Sequence, residues 1–191
     1  MIIILYVIMG GTSSGKDSIA NKLKNEYRYE VCVSSTTRPK RQNEIEGVDY
    51  FFISIEQFLS DLKEGKLLEN RQYKTANGMW YYSLHMSSVD ITKTQLAILD
   101  AKGYEETIHK LGKENVTGIY VYANERDKIM RALNRESNRE DIKFYEELYR
   151  RMLDDLHAFD LVKDRDDIYK VKNEDLDYAV NEINTFIKTN I

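Results

Sequence analysis

Residues 10–16 read Gly10-Gly11-Thr12-Ser13-Ser14-Gly15-Lys16 and follow directly on an apolar run over residues 2–9. A glycine, four residues and then Gly-Lys is the pattern of a phosphate-cradling loop, in which backbone N–H groups and one lysine surround a nucleotide's phosphates. Its flanks restrict what can stand on either side. The apolar run predicts a buried strand entering the loop, and Ile19, Leu23 and Tyr27, each about a turn from the next, predict a helix leaving it. The loop then sits at a helix N-terminus, where free N–H groups and the helix dipole both favour anions. Gly10, Gly11, Thr12, Ser13, Ser14, Gly15, Lys16, Asp17 and Ser18 are therefore candidates to hold a nucleotide's phosphates.

Beyond the loop, strand-like runs alternate with helical ones, as expected of an α/β fold with a parallel sheet. The strand candidates are residues 29–34, 96–100, 117–123 and a late pair, 161–162 and 168–171. Ser54 with Gln57 forms a capping box ahead of Phe58 and Leu62, with Gly65 as a stop. Residues 103–111 read as a helix closed by Gly112, while Asn124 and Asn138, followed by Asp127 and Asp141, suit two further helix starts. Leu176, Val180, Ile183 and Ile187 mark a final helix. Two segments break the alternation: residues 35–90, rich in Tyr, Phe and Ser, and the charged helical residues 126–157. Both read as insertions into one domain, which a chain of 191 residues can support.

The formal net charge of −4 argues against general nucleic-acid or membrane-surface binding, both of which need a cationic face. Cys32 is the only cysteine, which excludes an intrachain disulfide and points to a reducing, cytoplasmic setting. The N-terminal apolar run is too short to span a bilayer and reads as a strand rather than a signal peptide. His85, His109 and His157 lack ligand spacing and read as structural or surface residues.

From Ser34 the chain runs Ser34-Ser35-Thr36-Thr37-Arg38-Pro39-Lys40-Arg41, then Glu44, Gly47 and Asp49-Tyr50-Phe51-Phe52. Two arginines three residues apart, flanked by tyrosine hydroxyls, form a planar-donor clamp for a phosphate dianion. The segment resembles the guanylate kinase motif S-x-T-T-R-x-x-R-x-x-E-x-x-G-x-D-Y-x-F, with every defined position present at the family's spacing. The resemblance extends over most of the chain. It implies a three-layer P-loop NTPase fold with a parallel core sheet (residues 1–33, 91–125 and 158–191), an inserted small α/β lobe that binds the nucleoside monophosphate (34–90) and a helical lid (126–157). It also implies ATP-dependent phosphorylation of GMP with Mg²⁺; dGMP is expected as a second acceptor because no residue here reads the 2′-hydroxyl. Arg38, Arg41, Tyr50 and Tyr81 would hold the acceptor's phosphate, while Glu69, with Ser34, Ser83 and Asp100, would read the base. Guanine presents two adjacent donors to such a carboxylate; adenine would leave it desolvated and unmatched.

Lid arginines would cover the bridge between the two nucleotides. Arg135, Arg139 and Arg150 fit the family's spacing, with Arg131 and Arg151 as register-shifted alternatives. Several positions depart from the family. Asp17 stands where a Ser or Thr usually brings a hydroxyl to Mg²⁺, so the metal ligand is left open between Ser18 and Asp17. Trp80 and Tyr82 alter the stretch leading to Ser83, Ile98 replaces a residue that is often acidic, and Arg165 takes the place of an asparagine often near the adenine. Two other readings remain open: a P-loop kinase for another nucleoside monophosphate, and a non-catalytic guanylate-kinase-like binding module. The oligomeric state is not readable from these residues.

Overall fold

In a computed structural model of the chain, residues 5–75, 78–90, 92–135 and 142–190 are described, apart from the side chains of Lys143 and Leu161. Along the chain they form β1 (Leu5–Met9), α1 (Lys16–Tyr27), β2 (Glu30–Val31), β3 (Ser35–Thr36), β4 (Phe51–Phe52), α2 (Ile55–Lys63), β5 (Leu67–Thr75) and β6 (Gly78–His85). There follow β7 (Gln95–Ile98), α3 (Ala101–Leu111), β8 (Val116–Tyr122), α4 (Glu125–Arg135), α5 (Ile142–Ala158), α6 (Asp160–Lys163), β9 (Ile168–Lys172) and α7 (Leu176–Thr189).

The main sheet has the order β2-β7-β1-β8-β9, with every adjacent pair parallel. Strand β1 lies at its centre, Val7 opposite Ala97 on one side and Gly118 on the other. All five of its residues are buried, as expected of a strand covered on both faces. Alternation sends Leu5, Val7 and Met9 into one core with Leu99, Tyr104, Phe159 and Val162, beneath α3 and α6. Tyr6 and Ile8 enter the opposite core with Ile19, Leu23, Val180, Ile183 and Ile187 from α1 and α7. Each such side chain, fully buried, contributes about 1.5–3 kcal/mol. The result is the α/β, three-layer P-loop fold that the sequence implies. Among the described residues no helix is long and apolar enough to cross a membrane.

A second sheet, ordered β4-β3-β6-β5, carries α2. Strands β5 and β6 pair antiparallel, with a register shift between Leu67 and Glu69. The Ser54 hydroxyl accepts from the Gln57 N–H at the start of α2, but the Gln57 side chain turns to Asp61, so only half of the expected capping box forms.

Other expectations change. The strand expected over residues 29–34 shortens to β2 in the main sheet, and β3, which begins just beyond it at Ser35, belongs to the second sheet. Asp100 is no strand residue but the N-cap of α3, accepting from the Gly103 N–H at 2.8 Å. Residues 161–162 are not a strand, since α6 runs through them. Val162 is buried against the α3 side of the main sheet, while Asp160 and Lys163 pair across one helical turn at the surface. The helix start expected at Asn138 lies outside the described residues.

Candidate active site

The phosphate loop leaves β1 and ends on Gly15, whose φ of +95° is a left-handed conformation that suits glycine. Space demands glycine there as well, because an added Cβ would stand 2.1 Å from the Asn173 amide nitrogen. Asn173, just beyond β9, donates to the Ser14 carbonyl at 2.8 Å. Arg131 of α4 donates to the same carbonyl at 3.3 Å and to the Asn173 carbonyl at 2.7 Å. Two side chains distant in sequence thus hold the loop's backbone in place.

Lys16 opens α1 and pairs with Asp17 at 3.2 Å. Asp17 points outward, and the charge of Lys16, ahead of its other neighbours, holds its carboxyl below the usual carboxylate range. Ser18 is exposed beside it. The Ser13 and Ser14 hydroxyls are buried without a hydrogen-bond partner. The Thr12 N–H donates to Asp155 Oδ2 of α5 at 2.5 Å, so a carboxylate from the charged helical segment lies on the loop. A cleft of about 400 Å³ opens at that point, with Tyr120, Tyr122 and Phe159 in its wall.

Arg38 projects from the segment between β3 and β4 and is 4% exposed. Its guanidinium is bidentate on Glu44 and also lies over the rings of Tyr50 and Phe52, at 5.1 and 5.5 Å. Burial works against the Glu44 charge, but hydrogen bonds from Arg38 and the Arg41 N–H hold its carboxyl below the ordinary range. The Arg41 side chain lies at the surface. Desolvation by its neighbours, then the charges of Arg38 and Arg151, lowers the pKa of its guanidinium. Burial, then the nearby charge of Asp17, pushes the Tyr50 phenol up to about 12. Tyr50 packs against Phe52, Tyr82 and Arg38.

Behind this clamp Glu69 is fully buried, its carboxylate against the Cα of Gly103; an added Cβ there would come within 2.9 Å of Oε2. Arg71, two residues along the same strand, donates from Nε to Oε2 at 2.7 Å and from Nη2 to Oε1 at 3.1 Å. Burial raises the Glu69 pKa, and the Arg71 charge opposes the shift. Asp100 accepts from the Tyr73 hydroxyl as well as from its own helix. Ser34, on the approach to β3, and Ser83, on β6 opposite Ser35, are both buried, and the Ser83 hydroxyl has no hydrogen-bond partner.

Contacts through Glu44, Tyr82, Arg71 and Tyr73 thus join Arg38, Arg41, Tyr50, Glu69 and Asp100 into one connected region. The structure does not bring Tyr81 to the clamp. The ring of Tyr81 stacks on Phe58 of α2 at 4.7 Å, whereas Tyr82 is edge-on to Tyr50 and Tyr73, at 5.9 and 5.6 Å. Successive strand residues face opposite ways, so only one of the two tyrosines can face the arginines.

The arginines of the charged segment also separate. Arg131 reaches the loop, and the charge of Arg135 acts on Asp17. Arg150 is paired with Glu147 and Asp154 on its own helix, and Arg139 lies outside the described residues. Arg165 is not beside the loop: it pairs with Asp167 and with Glu105 of α3. The asparagine at the loop is Asn173. Reading the sequence missed Arg71, Asn173 and Asp155. The two-residue spacing from Glu69 to Arg71 on one strand was the available signal for the first; nothing local marks the other two.

The guanylate kinase family model matches residues 4–190. A guanylate kinase of Hydrogenovibrio crunogenus is 29% identical over 97% of this chain and 87% of its own length. One from Legionella pneumophila is 30% identical over 97% of this chain and 86% of its own. A crystal structure of guanylate kinase from Anaplasma phagocytophilum superposes with a TM-score of 0.68, covering 100% of this chain and 87% of the other at 21% identity, a likeness of fold.

Proposed function

The chain belongs to the guanylate kinase family of nucleoside monophosphate kinases, and from that premise we propose that it transfers the terminal phosphoryl group of ATP to GMP, and to dGMP, yielding ADP and GDP or dGDP. The observation that carries this reading is that the chain builds two anion-directed clusters. One is the loop with Lys16; the other is the buried Arg38 with Tyr50, whose phenol feels the charge of Asp17 beside that loop.

The attacking group is an oxygen of the GMP phosphate, largely dianionic at neutral pH because its second pKa is about 6. It bonds to the γ-phosphorus while the bond from that phosphorus to the β–γ bridging oxygen breaks, and ADP leaves with the charge. No general base is needed, in keeping with the absence of histidine from the candidate residues. Positioning and fixed positive charge carry the catalysis. Lys16 follows the β- and γ-phosphates, and Arg38 and Arg41 hold the acceptor, with Tyr50 and Tyr82 lining the clamp. Arg135 covers the bridge, Arg131 braces the loop, and Arg139 and Arg150 are the remaining candidates from the lid. Glu69, with Ser34, Ser83 and Asp100, reads the base. The core of residues 1–33, 91–125 and 158–191, the lobe of 34–90 and the lid of 126–157 divide these tasks.

Asp17 or Ser18, both exposed on the first turn of α1, would hold Mg²⁺, the charge of Lys16 favouring the ionised Asp17 carboxylate. Mg²⁺ commonly takes one or two protein ligands and completes its shell with phosphates and water, so either residue suffices to hold it. Bound there, it would neutralise phosphate charge. The test is ADP release with ATP and each of GMP, dGMP, AMP, CMP, UMP and dTMP. Turnover is expected with GMP and dGMP; turnover with AMP but not GMP, or with no acceptor, overturns the proposal.

A further inference from the structure

The base-reading carboxylate is already occupied, and by a group of particular shape. Arg71 places two N–H donors side by side on the two oxygens of Glu69, at 2.7 and 3.1 Å. A guanine edge presents the same thing: two parallel N–H donors in one plane, matched to one carboxylate. The guanidinium is further enclosed by the Tyr82 ring, 5.9 Å from its carbon, and by the charge of Asp100, which the Tyr73 hydroxyl and the Gly103 N–H hold in place. Both partners are buried, Glu69 wholly and Arg71 to 11% exposure of its side chain.

We propose that Arg71 tunes the affinity of this kinase for GMP by standing in for guanine on Glu69, so that a base reaches the carboxylate only by displacing it. This rests on Glu69 as the base-reading residue. A charged donor pair binds a carboxylate more strongly than a neutral one of the same geometry, so guanine wins the site only with help from the rest of the nucleotide. The phosphate contacts at Arg38 and Arg41 supply that help and drive the exchange. Adenine, with no such donor pair, gains nothing by expelling Arg71 and leaves Glu69 unmatched if it does. The internal pair therefore weakens GMP binding in exchange for keeping the carboxylate paired while the site is empty. A buried carboxylate left alone is strongly destabilising.

The test compares the Arg71→Ala and Arg71→Lys variants with the parent chain. Removing a bidentate charged competitor should lower the KM for GMP about tenfold in Arg71→Ala, corresponding to one charge-assisted pair. The KM for ATP and the turnover of AMP should not move. Arg71→Lys keeps the charge but not the paired donors; it guards against loss of the fold and should give an intermediate KM. A second readout does not depend on turnover. GMP should raise the melting temperature of Arg71→Ala by more than it raises that of the parent, because the nucleotide then relieves an unpaired Glu69. An unchanged KM with equal thermal shifts overturns the proposal, and a raised KM does so by showing that Arg71 contacts the base itself. If the parent and both variants neither bind nor phosphorylate GMP, the assignment of Glu69 as the guanine reader falls instead, and this inference with it.

Discussion

Lys16 has a small structural role and a large electrostatic one. Its ammonium pairs with Asp17 at 3.2 Å, and both side chains lie on the first turn of α1 rather than in either core. Truncating it should leave the fold intact while removing the charge meant for the donor's β- and γ-phosphates. Lys16→Ala is expected to lower kcat by about 10²–10³, the range for losing one preorganised transition-state contact, with an unchanged melting temperature. Coupled ADP-release kinetics and a thermal melt check both halves, and near-parental turnover would refute the role. Lys16 was legible because its meaning is local: spacing to Gly10 and Gly15 and position between a strand and a helix define it. Arg38, Arg41 and Tyr50 were legible for the same reason. Tyr81 and Tyr82 were not separable by spacing, since choosing between them requires the register of β6 against β3, set by pairings such as Thr36 with Tyr82. Arg71, Asn173 and Asp155 owe their significance to partners that only the folded chain selects.

At the scale of elements, the phosphate loop is shaped as much by helices as by its own glycines. Helix α4 sends Arg131 to the Ser14 carbonyl, and α5 sends Asp155 to the Thr12 N–H. The first contact braces the loop, whereas the second occupies a donor that a phosphate would use. An anionic side chain on that N–H competes with an anionic ligand, both for the hydrogen bond and through like-charge repulsion. Asp155→Asn keeps the shape and removes the charge. It should lower the KM for ATP about fivefold, a little under 1 kcal/mol, and leave the KM for GMP in place, as steady-state kinetics with each nucleotide varied in turn would measure. A raised KM for ATP would mean that Asp155 instead positions the loop for its ligand. Elements with periodic apolar faces, β1, α1, β8 and α7, follow the sequence closely because burial on both sides of a parallel sheet imposes their pattern. Helix α6 defied it because four residues carry too little periodicity to distinguish a helical turn from a strand.

Across the whole molecule, the groups that would bind substrates are neutralised from within. Asp155 lies on the loop, Asp17 on Lys16, Glu44 on Arg38 and Arg71 on Glu69. At Arg41, desolvation and the charge of Arg38 work against the guanidinium, the Glu44 carboxylate opposes them, and the charge of Arg151 adds to the repulsion. Cations gathered on two inserted segments repel one another until an anion comes between them, and the fields of such groups are least screened where water is partly excluded. Occupancy of both nucleotide sites should therefore draw the two segments together, excluding the water that would otherwise accept the phosphoryl group. A bisubstrate nucleotide, adenosine and guanosine joined through five phosphates, supplies polyanionic charge to both clusters at once without turnover. Small-angle scattering should show a smaller radius of gyration with this compound than with ATP or GMP alone, and the contraction should weaken in Arg41→Ala, which removes one of the attracting charges. If the bisubstrate nucleotide binds and the radius stays that of the free chain, the segments do not close on their ligands, and the exclusion of water must come from side chains already in place around the loop.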